Sequence, residues 1–340
     1  MNMRYSTVDI LSAQDLISKA TQIVITTHKS PDGDAVGSGL AMLNYLKLKG
    51  KKAYFIVPDS YPDFLSWMPC NDEVLVFDKQ KEHCEKLISE AELIFSLDYN
   101  QLNRTGDVQN ALVSSKADFI LIDHHHSPGE YPKISFSDTS ACSTCEMIYD
   151  FIVESSDESL ITNEIGKCIY AGIMTDSGSF RFHSVRPHTH FIAAKLIERG
   201  LDHAEIHRMV YDNNLLNRLQ LTGYALSSKL EMIGKHAAMI VLDRETLLRY
   251  NHQPGDTEGL VNYALSIKGV NVAAFIREGS NEIRLSFRSK GSFDVNHFAR
   301  EHFEGGGHTN AAGGRSSEDL NLVTEKFKNL ILSKSEELNY

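Results

Sequence analysis

Four short runs of consecutive apolar residues mark the first half of the chain: Ile23–Thr27, Ala53–Val57, Leu93–Leu97 and Phe119–Ile122. Each is rich in β-branched or aromatic residues and too short for a helix, which predicts strands. A glycine-containing segment follows the first run. Helical apolar spacing then runs from Leu40 to Lys49, where Gly50 stops it, and recurs around Lys81 to Ala91. Uninterrupted apolar strands alternating with helices predict a parallel sheet covered on both faces. Cys142–Glu154 and Thr162–Met174 also have helical spacing, and His188 to about Leu230 reads as successive helices with no strand. Beyond that the texture changes. Ala237–Leu242, Val270–Ile276 and Ile283–Phe287 read as strands, separated by turns such as Glu278-Gly279-Ser280-Asn281. The expected α/β architecture is an N-terminal parallel-sheet domain over 1–195, a helical connector over 196–230, and a smaller C-terminal α/β domain over 231–340.

Length and composition fit this. At ~100–200 residues per domain, 340 residues suggest two domains. No run of ~18 apolar residues predicts a membrane span. Met1 to Ser6 has neither an apolar core nor a small-residue cleavage site, so the expected compartment is the cytoplasm. The balance of 34 basic against 45 acidic residues, net −11, argues against a general electrostatic binder of long nucleic acid. Phosphates would be handled locally, by metal ions or a small basic cluster. The five cysteines are an odd set that reads as reduced thiols. Cys142-Ser143-Thr144-Cys145 has CxxC spacing but no second pair to complete a zinc site, and its Ser and Thr suit a helix cap. His203 and His207 lack the glutamate of a zincin motif and read as exposed helix residues. His188 and His190, in a Pro-flanked turn, receive no role.

Polar residues gather at the strand ends. The first strand runs into His28-Lys29-Ser30-Pro31-Asp32-Gly33-Asp34, the third into Asp98, and the fourth into Asp123-His124-His125-His126. In parallel α/β sheets such positions converge on one crevice outside the carboxyl ends of the strands. Asp176, in Thr175-Asp176-Ser177-Gly178, is a fourth candidate. Taken singly, Pro31-Asp32-Gly33 is a good turn and an aspartate after a strand is an ordinary helix cap. Asp123-His124-His125-His126 directly follows four apolar residues, and three adjacent histidines at a strand end have no evident structural purpose. Imidazole and carboxylate together suit divalent ions such as manganese. Five carboxylates in one crevice would repel one another unless cations lay between them. Two ions ~3.5–4 Å apart form a site for in-line attack on phosphorus.

The series His28-x-x-x-Asp32-x-Asp34, Asp98, Asp123-His124-His125, Asp176 resembles the four motifs of the DHH phosphoesterase superfamily. That superfamily includes RecJ nucleases, family II pyrophosphatases and the NrnA-type nano-RNase/pAp phosphatases. Gly305-Gly306-Gly307-His308 resembles the signature of the DHH-associated C-terminal domain, and Arg288 resembles that domain's basic strand. The resemblance covers nearly the whole chain. It implies that His28 and Asp32 bind one metal, that Asp34, His124 and Asp176 bind another, and that Asp98 bridges them. It further implies that His125 sits at the phosphoryl group or leaving oxygen, with Asp123 supporting the histidines. His126 falls outside the motif. The cofactors implied are two divalent cations, manganese first, with magnesium and cobalt as alternatives.

Gly306 and Gly307 would let backbone approach a phosphate, and His308, Arg288 and Arg104 are candidate phosphate contacts. Arg315, after Gly313-Gly314, is a further cation without an assigned role. The active site is expected in the cleft between the two domains. The compact layout is most similar to the NrnA group, because ~340 residues leave no room for the extra domains of a full RecJ nuclease. That implies hydrolysis of short RNA to 5′-mononucleotides and removal of the 3′-phosphate from 3′-phosphoadenosine 5′-phosphate. Neither long duplexes nor membranes are expected partners, and a homodimer is compatible with the sequence. A cyclic-dinucleotide phosphodiesterase is the enzyme alternative. A catalytically silent nucleotide-binding protein is the alternative of another class, and it would be expected to lack at least one metal ligand.

Overall fold

The computed structural model describes residues 3–279, 281–334 and 338. Ser280, in the turn expected before the third C-terminal strand, lies outside the described residues. The chain divides into two compact units, Met1–Asn213 and Asn214–Tyr340. The segment expected as a connector is split between them. Helix Pro187–Glu198 and helix His203–Tyr211 belong to the first unit, where Ile206 and Val210 enter its core. Helix Leu216–Ser228 belongs to the second, where Leu221 and Ala225 are buried.

The first unit carries six strands: β1 (Gln22–Thr26), β2 (Lys52–Val57), β3 (Leu75–Val76), β4 (Leu93–Leu97), β5 (Asp118–Asp123) and β6 (Ile134–Ser137). All pairings are parallel, in the order β3-β2-β1-β4-β5-β6. The helices are α1 (Thr7–Lys19), α2 (Gly33–Leu48), α3 (Lys81–Glu90), α4 (Gln109–Ser114), α5 (Thr144–Glu154), α6 (Asn163–Asp176), α7 (Pro187–Glu198) and α8 (His203–Tyr211). They cover both faces. Ile23, Ile25, Phe95 and Ile120 pack towards α2, α5 and α6, while Val24, Ile56, Ile94 and Phe119 pack on the side of α3 and α4. Double coverage explains why these strands read as unbroken apolar runs. The strand order reverses between β1 and β4, so a crevice opens at their carboxyl ends.

Helix α2 begins seven residues before its apolar spacing does, at Gly33 rather than Leu40. Glycines make this stretch a weak helix former, but two tertiary features override that. Asp32 caps the helix, its Oδ1 accepting from the Asp34 and Ala35 N–H groups at 3.0 and 3.1 Å. The glycines also let α2 lie against α6. A Cβ on Gly37 would stand 2.6 Å from the Cys168 carbonyl oxygen, and one on Gly172 of α6 would stand 3.0 Å from Asp34 Oδ1. This contact brings the start of α2, with Asp34, towards the end of α6, with Asp176.

The second unit holds a six-stranded mixed sheet of β7 (Leu230–Ile233), β8 (Ala237–Leu242), β9 (Val272–Glu278), β10 (Ile283–Ser289), β11 (Gly306–His308) and β12 (Ala311–Ser316). Its order is β11-β12-β10-β9-β8-β7, with only β8–β9 parallel. Helices α12 (Val295–His302) and α13 (Leu320–Ser333) seal one face through Leu285, Phe287, Phe298 and Phe327. On the other face α9 (Leu216–Ser228), α10 (Arg244–Arg249) and α11 (Leu260–Ser266) pack on β8 and β9. The glycine-rich stretch Gly306–His308, which was not among the expected strands, is the edge strand β11. Its Gly307 has φ 153°, and a Cβ there would lie 2.5 Å from the Ala311 carbonyl oxygen. A side chain is therefore excluded by the neighbouring strand.

Gly37→Ala drives a methyl against a backbone carbonyl that cannot swing away. Overpacking of this kind costs ~1–3 kcal/mol, which corresponds to a fall in Tm of ~3–10 °C for a unit of this size. Thermal melts measure it directly, and an unchanged Tm would contradict the close packing of α2 on α6.

Candidate metal centre

Asp98 is the residue directly after β4 and is 2% exposed. Its φ of 63° is left-handed, a conformation that aspartate tolerates better than most residues and that clusters at functional sites. The two carboxylate oxygens face different neighbours. Oδ2 lies 3.3 Å from His28 Nε2. Oδ1 lies 3.5 Å from His124 Nε2 and accepts from Thr144 Oγ1 at 3.0 Å.

Two groups of ligand atoms form around it. His28, Asp32 and Asp98 offer atoms within 4.8 Å of one another, and so do Asp34, His124 and Asp176. In the first, Asp32 spends Oδ1 on the α2 cap and turns Oδ2 to 3.9 Å from His28 Nε2. In the second, His124 Nε2 stands 3.9 Å from Asp34 and 3.7 Å from Asp176. The histidines are oriented as metal ligands usually are. His28 Nδ1 pairs with the Lys29 carbonyl at 2.9 Å and His124 Nδ1 with that of Ala141 at 3.4 Å, so each presents Nε2 to the carboxylates.

Asp34 is held by the start of α5. The N–H groups of Thr144 and Cys145 donate to its two oxygens at 2.6 and 2.8 Å, so the carboxylate sits where helix N–H groups and dipole favour an anion. Ser143 caps the same helix. The CxxC segment thus serves as a helix start: Cys145 is buried between α2 and α6, and all five cysteines are free. Asp123 lies outside both groups. Its Oδ1 pairs with His125 Nδ1 at 2.7 Å, and its Oδ2 accepts the His125 N–H at 3.1 Å, fixing that ring. His126 is exposed, and its carbonyl accepts from Asn100 Nδ2 at 2.6 Å, which anchors the loop after β5. Thr144 and Asn100 carried no motif. Thr144 lay within a segment readable only as a cap.

Arg104 is half-buried in a tight helical turn, Leu102–Val108, tied to the β1–α2 loop by the Lys29 N–H donating to its carbonyl at 2.8 Å. Its charge is felt at both His28 and Asp123. A further ligand-like group, Glu146, Asp150 and His188, has a different occupant. The Arg4 guanidinium pairs with Glu146 and, at 3.0 Å, with Asp150, while His188 Nε2 lies 2.8 Å from Asp150. This network fastens the N-terminal segment to α5 and sets His188 in a structural role.

The electrostatics of the centre call for cations. Burial, then the charges of Asp34, Asp32, Asp123 and Asp176, pushes the Asp98 carboxyl well above the usual range. Burial and then Asp176 push Asp34 up to about 7. Burial raises Asp123 to about 6 against the pull of His124 and Arg104. Burial lowers His28, so its imidazole is neutral and able to ligate. Without cations such carboxyls favour the fold fully only below their ordinary value of ~4, and that contribution is lost as pH rises through Asp34's about 7. Mixed oxygen and imidazole donors fit a divalent transition ion.

In the second unit, Arg288 and His308 share a row. Both pair in register with Ala311, Arg288 from β10 and His308 from β11, which sets them on one face of the sheet. One step along that face lie Ser286, Gly313 and Gly306, also in register. The Gly307 N–H donates to Asn296 Oδ1 at 3.0 Å, and Arg288 Nη1 donates to the Phe287 carbonyl at 3.0 Å.

The DHH family N-terminal domain model matches residues 22–173 and the DHHA1 domain model matches residues 236–333. The bifunctional oligoribonuclease and PAP phosphatase NrnA of Thermus thermophilus is 30% identical over 312 residues, covering 89% of this chain and 86% of that protein. The protein of the same name from Bacillus subtilis is 29% identical over 299 residues, covering 87% and 90%. Among solved structures, an exopolyphosphatase-related protein from Bacteroides fragilis is 36% identical, with a TM-score of 0.93 over 98% of each chain.

Divalent ions that bind only the folded centre should stabilise it. At 100 times Kd the gain is ~2.7 kcal/mol, or a rise in Tm of ~5–10 °C. Asp98→Asn should reduce this manganese-induced rise at least by half without lowering the Tm measured in EDTA, because it removes a repelled charge. A full manganese shift in Asp98→Asn would contradict the placement of Asp98 at the heart of the centre.

Proposed function

Because this chain belongs to the DHH phosphoesterase family, we propose that it hydrolyses short RNA oligonucleotides to 5′-mononucleotides and removes the 3′-phosphate of 3′-phosphoadenosine 5′-phosphate. One observation carries the reading: the two oxygens of a single buried carboxylate, Asp98, face two separate ligand groups. In this reading His28 and Asp32 hold one divalent ion, Asp34, His124 and Asp176 hold the other, and Asp98 serves both. Manganese is the ion we favour, given donors split between imidazole and carboxylate. Such ions, when bound, act as Lewis acids towards the phosphoryl group and towards water.

The chain's own residues do the rest. Thr144 and the start of α5 fix the directions of Asp98 and Asp34. With Nδ1 engaged by Asp123, His125 exchanges a proton with the departing oxygen through Nε2. The Arg104 guanidinium offsets charge developing on the phosphoryl oxygens. Arg288, His308 and the bare backbone of Gly306 and Gly307 grip a neighbouring phosphate. No described helix is long and apolar enough to cross a membrane, and we place the activity in the cytoplasm.

The net charge of −11 supports short substrates, since a long RNA needs an extended basic track. With manganese and fixed salt, RNAs of about two to five nucleotides should give the highest kcat/KM, with ~20-mers falling below them. Product analysis on RNA dimers to pentamers, a 20-mer, 3′-phosphoadenosine 5′-phosphate and cyclic di-AMP tests this. Faster processing of the 20-mer than of a trimer, or turnover of cyclic di-AMP alone, would overturn the reading. No turnover of any of them would favour a silent binding protein.

A further inference from the structure

The face of the second sheet away from α12 and α13, which α9 to α11 cover over β8 and β9, carries a second row of charge. In the β9–β10 ladder Arg277 stands directly opposite Arg284, and in the β10–β12 ladder Arg284 stands directly opposite Arg315. Directly opposed residues of antiparallel strands share a face. Three arginines from three adjacent strands therefore form one in-register row, ~10 Å long at the usual strand spacing. Their face is the one opposite Leu285, Phe287 and Ala312, which point into the core under α12 and α13. Like charges directly opposed across strands destabilise a sheet, so the row needs an explanation.

Neighbouring acids provide little of one. Arg284 pairs with Glu282 at 3.1 Å and Arg315 with Glu304 at 3.2 Å, but both pairs are substantially solvent-exposed and such pairs contribute little. Arg277 has no ion pair within 4.0 Å among the described residues, and burial, then the Arg284 charge, lowers it from the usual arginine range.

We propose that Arg277, Arg284 and Arg315 form a phosphate subsite for the far part of an RNA oligonucleotide whose nearer phosphate lies on Arg288 and His308. The inference rests on the proposed function. The two rows lie on the same face, four residues apart along β10 (Arg284 to Arg288), which is ~14 Å at the usual rise. Between them on β10, β12 and β11 stand Ser286, Gly313 and Gly306, which leave room for a backbone running from Arg284 to Arg288, while Phe275 of β9, directly opposite Ser286, is buried beside that path. That span is about two nucleotides of extended strand, or about four stacked at a rise of ~3.4 Å. A dinucleotide or 3′-phosphoadenosine 5′-phosphate would stop short of the arginine row. Trimers to pentamers would reach it, and a longer RNA would gain no further contact. The row thus sets an upper length over which added nucleotides improve binding, and it recognises phosphodiester charge without reading bases.

The test uses the full chain and 5′-phosphorylated RNA dimers and pentamers carrying a fluorophore. Anisotropy in EDTA measures binding without turnover, and product release with manganese measures catalysis. The wild type should bind pentamer at least ~10-fold more tightly than dimer. Arg284→Gln/Arg315→Gln should bring that ratio to within about twofold and flatten the salt dependence of pentamer binding, while Arg284→Lys should keep the salt dependence. A wild type that binds both RNAs equally would overturn the subsite. So would a double variant that keeps the pentamer preference, or one that loses dimer and pentamer affinity by the same factor, which marks a structural role. A wild type that binds as expected but releases no mononucleotide refutes the proposed function and leaves the subsite standing.

Discussion

Burying Asp98 beside Asp34, Asp32, Asp123 and Asp176 is the constraint on which the first unit is built. A carboxylate that is 2% exposed and faces four others is unfavourable unless something positive is shared among them. The fold meets part of the demand with oriented dipoles. Two N–H groups at the start of α5 hold Asp34, and the Thr144 hydroxyl holds one oxygen of Asp98. In the proposed reading the remainder falls to divalent cations between the two ligand groups. The close approach of α2 to α6 through Gly37 and Gly172, the cap at Asp32 and the left-handed turn at Asp98 each bring one ligand to this point. The Arg4 network acts at one remove, fastening α5 from its other side.

The second unit applies a different economy. Its sheet is sealed on one face by phenylalanines under α12 and α13, while the face of β10, β11 and β12 away from them keeps charge and small residues. Arg288 with His308 and the arginine row are two positive stations on that surface. An acidic chain can handle a polyanion in this way without a basic exterior. On the proposed subsite, affinity depends on how many phosphates reach the stations, which links chain length to binding.

The strands of the first sheet were legible because double coverage leaves an unbroken apolar run, and their polar ends pointed to one crevice at the carboxyl ends of the strands; that this crevice lies at the β1–β4 reversal emerged only from the strand order. The first two turns of α2 were not legible, because helix propensity counts the glycines against a helix while their packing on α6 cannot be seen in one segment. Edge strand β11 was missing from the expected strands for the same reason: its glycines answer to Ala311 across the ladder, not to local flexibility. Thr144 is invisible as a site residue because its role depends on Asp98, 46 positions away. The arginine row is equally hidden, since positions 277, 284 and 315 become neighbours only through register.

The central claim is that one buried carboxylate joins two cation sites. Metal content after manganese loading and gel filtration, measured by inductively coupled plasma mass spectrometry, tests it most directly. The account predicts two ions per chain in the wild type and at most one in Asp98→Ala. One ion or none in the wild type, or two retained by Asp98→Ala, would contradict it.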